Sequence, residues 1–118
     1  VDALQVDLYD EEAAAPVLDT PDFYRHCREL LTPQGCMTVN LFGRSSSYAE
    51  SVEKICAAFG EDAVWAFKPT REGNAIVLAQ RTASRPSRDA LLQAASAIEE
   101  KWGLAAPKWL KVFKPVTL

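Results

Sequence analysis

Four short apolar runs, Ala3–Leu8, Cys36–Leu41, Ala63–Phe67 and Ala75–Ala79, punctuate the 118-residue chain, and the lengths between them dictate how they pair. The first two flank a segment in which Phe23, Tyr24, Cys27, Leu30 and Leu31 fall on one helical face. A helix of that length joins parallel strands by a crossover. Between the second and third runs, Tyr48, Val52, Ile55, Cys56 and Phe59 recur at helical spacing. The third and fourth runs are separated only by Lys68-Pro69-Thr70-Arg71-Glu72-Gly73-Asn74, too short for a crossover helix, so they form an antiparallel hairpin. Leu91, Leu92, Ala95, Ile98 and Trp102 then mark a third helix, and Ala106–Phe113 adds a short final turn. The expected order is β-α-β-α-β-β-α, an α/β domain of parallel strands with helices and a terminal antiparallel hairpin.

Local chemistry supports these boundaries. Thr20-Pro21-Asp22 is a helix start, with a capping hydroxyl, a proline that needs no amide hydrogen there, and a carboxylate favoured by the helix dipole. Ser47 and Glu50 have the spacing of a capping box, while Gly60 and Gly103 follow the last apolar positions of their helices. Thr32-Pro33-Gln34-Gly35 has turn chemistry ahead of the second strand.

The chain is long enough for one compact domain. With 48% apolar and 25% charged residues it has the composition of a soluble globular protein, and no apolar run is long enough to span a membrane. Asp2 and Asp7 stand where a signal peptide carries basic residues, so the expected location is cytoplasmic. Cys27, Cys36 and Cys56 form no C-x-x-C, and His26 is the one histidine; the expectation is three buried thiols, a structural or exposed His26, and no metal site. The net charge of −3 divides unevenly, with −7 on residues 1–80 and +4 on residues 81–118. Lys101, Lys108, Lys111 and Lys114 alternate with Trp102, Trp109 and Phe113 in that basic tail. On an acidic chain this reads as aromatics docking a C-terminal helix onto the sheet with lysines facing water, so no nucleic-acid partner is expected.

Asp7 and Asp10 close the first strand, at the end of a sheet where α/β proteins bind ligands. By spacing alone, they and Glu11, Glu12, Asp19 and Asp22 fit a cap and loop cluster ahead of the helix at Pro21, or a crevice for a cationic or proton-donating substrate. The chain has no glycine-rich turn of the kind that lets backbone approach a nucleotide: Gly35, Gly43, Gly60, Gly73 and Gly103 are isolated.

Strand, helix, strand, helix and hairpin together resemble the C-terminal half of the Rossmann-like, class I S-adenosylmethionine-dependent methyltransferase fold. Within it, about the first 80 residues resemble the spermidine synthase (polyamine aminopropyltransferase) family. Asp7-Leu8-Tyr9-Asp10 matches that family's D-x-x-D, Thr20 with Phe23-Tyr24 its T-x-x-F-Y, and Leu31-Thr32-Pro33-Gln34-Gly35 resembles its L-x-P-G-G turn. The resemblance implies that Asp7 is the catalytic acid/base that deprotonates the attacking amine. It further implies that Asp10 binds the substrate ammonium and that Asn40 stands where a Gln helps hold the amine; Tyr9, an aromatic at the strand end, lines the pocket or packs there. A carboxylate does the base's work best where burial raises its pKa toward neutrality. Two family features are replaced: P-x-G-P by Glu11-Glu12-Ala13-Ala14, and the tyrosine of T-Y-P-S-G by Thr70.

The resemblance implies transfer of an aminopropyl group from decarboxylated S-adenosylmethionine to a small amine, with S-adenosylmethionine-dependent methyl transfer and a non-catalytic interaction module as alternatives. Residues 1–80 would be the C-terminal half of the transferase domain and residues 81–118 a helical extension packing on it. Without the glycine-rich turn, the 118 residues alone are expected to be inactive and to bind neither form of the donor. A homodimer is expected through the edge at Ala3–Leu8.

Overall fold

The computed structural model describes residues 1–7, 9–10, 13–14, 19–42 and 47–118, with residues 9, 10, 13 and 14 described by their backbone. Five strands form one sheet in the order β1-β4-β6-β5-β7: β1 (Ala3–Asp7), β4 (Cys36–Phe42), β6 (Asn74–Gln80), β5 (Val64–Phe67) and β7 (Phe113–Pro115). A separate two-stranded ladder pairs β2 (Tyr9–Asp10) with β3 (Ala13–Ala14). As expected, β1 and β4 are parallel and β5 and β6 form an antiparallel hairpin. β6 sits between β4 and β5, antiparallel to both.

Strand periodicity divides the sheet into two unlike faces. Val6, Met37, Val39, Leu41, Val77, Ala79 and Val64 point to one side and are buried. Against them pack α1 (Pro21–Leu30) and α2 (Ser47–Phe59), through Tyr24, Cys27, Val52, Ile55, Cys56 and Phe59. Thr20 caps α1, its hydroxyl accepting from the Phe23 amide at 3.1 Å. At the other end of α1, the Arg81 guanidinium donates to the carbonyls of Arg28, Glu29 and Leu31, where cations complement the helix dipole. Gly60 ends α2 with φ 92°, a conformation that favours glycine.

The first strand, expected to be an open sheet edge, is largely exposed. In β1 only Val6 is fully buried, Leu4 is half-buried, and Ala3, Gln5 and Asp7 are exposed. The reason is position: β1 lies at the sheet edge, with helices on one side. Leu30, expected on the apolar face of α1, is also exposed.

The tail departs further. α3 (Arg88–Trp102) buries Ala95 and half-buries Leu91, while Leu92, Ile98 and Trp102 remain exposed. It packs on α4 (Ala106–Trp109) through Ala95, Ala106 and Leu110 instead of lying across the sheet. The expected final turn is followed by β7, which pairs antiparallel with β5 and places Phe113 between Trp65, at 4.8 Å between ring centroids, and Phe67, at 4.7 Å. Among the described residues no helix is long and apolar enough to cross a membrane.

Candidate functional site

The second face of the sheet holds a cleft of about 770 Å³. Its floor comes from alternate residues of the central strands: Gln5 and Asp7 on β1, Thr38 and Asn40 on β4, Asn74 and Ile76 on β6. Its far wall comes from the chain beyond β5, with Phe67, Lys68 and Thr70, and from Trp109 and Val112 of the tail. The parallel register sets Asp7 directly beside Asn40, so the two side chains leave neighbouring strands on the same face at their C-terminal ends. In α/β sheets that is where ligands are held.

Hydrogen bonds order the floor and wall. Asn74 Nδ2 donates to Asn40 Oδ1 at 3.1 Å, which orients the Asn40 amide and leaves its oxygen a second lone pair. Thr70 is fixed by the hairpin turn: its amide donates to the Asn74 carbonyl at 2.8 Å, and the Gly73 amide donates to the Thr70 carbonyl at 2.9 Å. Gly73 has φ 98°, which makes this turn dependent on glycine. The Lys68 amide donates to the Val112 carbonyl at 2.8 Å, tying the wall to the tail.

The structure therefore brings Asp7, Asn40 and Thr70, named from sequence, to one cleft. Asp7 is exposed there, so the described residues do not supply the burial that favours a carboxylate base. Tyr9 and Asp10 lie on the backbone of β2, and their side chains fall outside what the structure describes, as do Leu8, Glu11 and Glu12. Sequence reasoning missed Lys68, Asn74 and Trp109. The Asn74 and Lys68 positions follow from the hairpin, but Trp109 reaches the cleft through packing that no local pattern encodes.

Asp19, which the sequence groups with the loop acids, is instead buried behind the sheet. It accepts from Tyr24 Oη at 2.6 Å, Ser51 Oγ at 2.8 Å and Lys54 Nζ at 3.2 Å, joining α1 to α2. Burial and then the Asp19 carboxylate hold the Tyr24 phenol well above the ordinary tyrosine range. Burial, reinforced by Glu61 and opposed by Arg85, pushes the Cys56 thiol up to about 11. Cys27 and Cys56 are buried and Cys36 is partly exposed, so one of the three thiols expected inside is not; His26 is exposed. Among the described residues no group of His, Cys, Asp and Glu is placed to hold a metal ion.

No protein-family model matches the chain. It is 30% identical over 104 residues to a polyamine aminopropyltransferase of Chromobacterium violaceum, an alignment that covers 87% of this chain and 40% of the relative. The fold matches the crystal structure of a probable spermidine synthase from Corynebacterium glutamicum with a TM-score of 0.55 and 21% identity, over 84% of this chain and 37% of the other. The chain thus spans about two fifths of the length of the proteins it matches. It is similar to the C-terminal part of a spermidine synthase-like protein, in sequence and in fold.

Proposed function

We propose that the chain forms the amine-acceptor side of a spermidine synthase-like transferase, in which an aminopropyl group passes from decarboxylated S-adenosylmethionine to a small amine. The observation that carries this reading is the pairing of Asp7 with Asn40 at the C-terminal ends of two parallel strands, over a cleft large enough for a small ligand. Likeness to a polyamine aminopropyltransferase supports it.

The chemistry assigned to these residues is limited and concrete. An amine arrives as ammonium and must lose a proton before its lone pair can attack carbon. Asp7 accepts that proton, the Asn40 oxygen takes an N–H from the same nitrogen, and the apolar faces of Ile76, Phe67 and Trp109 hold the methylenes. Asp10, three residues beyond Asp7, is assigned to the substrate's charge on the strength of the D-x-x-D match. The donor, when bound, supplies a carbon activated by an adjacent sulfonium. The chain carries no glycine-rich turn for its nucleoside, so no contact to the donor is assigned among the described residues.

The test is direct. The intact protein encoded with this sequence is incubated with decarboxylated S-adenosylmethionine and a panel of small amines, and products are followed by mass spectrometry. An amine that gains an aminopropyl group supports the reading. Methyl transfer from S-adenosylmethionine in place of it, or no transfer to any amine, contradicts it.

A further inference from the structure

The cleft carries one charge of each sign among its described lining residues, Asp7 on β1 and Lys68 just beyond β5. Two strands, β4 and β6, lie between β1 and β5, so three inter-strand steps of about 4.8 Å set the two backbones roughly 14 Å apart across the cleft. The Lys68 backbone is held at this place, its amide bonded to the Val112 carbonyl and Phe67 beside it packed on Phe113. Its ammonium makes no ion pair among the described residues. Asn40 on β4 and Ile76 on β6 lie between the strands that carry these two charges.

A short diamine with its reacting nitrogen at Asp7 would direct its second cation toward the half of the cleft that Lys68 lines, like charge against like. An acceptor with a carboxylate at that end would meet an opposite charge instead. We propose that Lys68 is a specificity-determining residue and that the acceptor is a short zwitterion, an amine at the Asp7 end and an anionic group at the Lys68 end. This rests on the reading of the cleft as the acceptor site, and it departs from a plain diamine acceptor.

The experiment compares the diamine putrescine with δ-aminovalerate, which has the same four-methylene spacer and a carboxylate in place of one ammonium. Each is titrated into the chain and into K68E, with amide chemical shifts of Asp7, Asn40 and Thr70 as the readout. The unaltered chain is expected to bind δ-aminovalerate about fivefold more tightly than putrescine, and K68E to invert that preference. Lys68→Gln, which removes charge with little change of shape, should bring the two affinities together and guards against a folding defect in K68E. If putrescine binds at these residues with equal or higher affinity and neither substitution changes the ratio, the zwitterion proposal is overturned while the amine site stands. If neither compound moves these amides, the acceptor-site reading falls and this inference with it.

Discussion

Asp19 ties α1 to α2 from inside the protein. It stands among acids that flank a helix start, yet it is buried and accepts from a phenol, a hydroxyl and an ammonium on two helices. Asp19→Ala leaves the Tyr24 and Ser51 hydroxyls without this acceptor in the interior, and a loss of about 1–3 kcal/mol is expected in a denaturant titration. Tyr24→Phe, which removes one donor and keeps the ring, should cost less. Equal stability of Asp19→Ala and the unaltered chain would contradict the role. Cys56 gives a pH dependence with a definite sign. Its thiol keeps its proton in the folded chain to about pH 11, whereas in the unfolded chain it ionises near pH 9. Stability from this group is fully present below pH 9 and is lost as pH rises toward 11, a decline on the order of 2 kcal/mol that Cys56→Ala should flatten. The Tyr24 phenol, also held up, loses stability in the same direction at higher pH.

At the scale of elements, the parallel pair, the hairpin and the first two helices were legible because each is set by local periodicity or by the length of a connection. Val52, Ile55, Cys56 and Phe59 face the core as their spacing requires, and Gly60 ends α2 where a residue able to adopt positive φ is needed. β7 was not legible: Phe113-Lys114-Pro115 has three residues, a lysine and a proline, and exists as a strand because β5 offers it an edge. The helix at Arg88–Trp102 has an amphipathic pattern that the fold leaves half unused, with Trp102 66% exposed, so periodicity gave the element and misplaced its partner. Phe113→Ala removes the ring between Trp65 and Phe67. It is expected to cost about 2 kcal/mol, less than a fully buried phenylalanine, and to shift the fluorescence of buried Trp65 to the red. Because this stack also steadies Lys68 and Val112, the same variant should broaden the amide signals of the cleft wall. Unchanged stability and spectra would show that β7 does not hold the wall.

For the whole molecule, the two faces of the sheet have different fates. One is sealed by α1 and α2, and the other presents the cleft and, at β1, a strand with no neighbour on its outer side among the described residues. Such an edge presents backbone donors and acceptors to any strand that can pair with it. We expect the isolated 118-residue chain to self-associate through β1, so that light scattering gives at least twice the 13.0 kDa chain mass; a monomer at high concentration would reject this. The candidate site was legible only in part for a related reason. Asp7 and Asn40 lie on strands whose register the pattern implies, but the wall that completes the cleft arrives from residues 109–112, distant in sequence and fixed by tertiary packing. The proposed transfer depends on Asp7 as the base. In the intact protein, Asp7→Asn should lower kcat for aminopropyl transfer by about two to four orders of magnitude with donor affinity unchanged, and full turnover by that variant would contradict it.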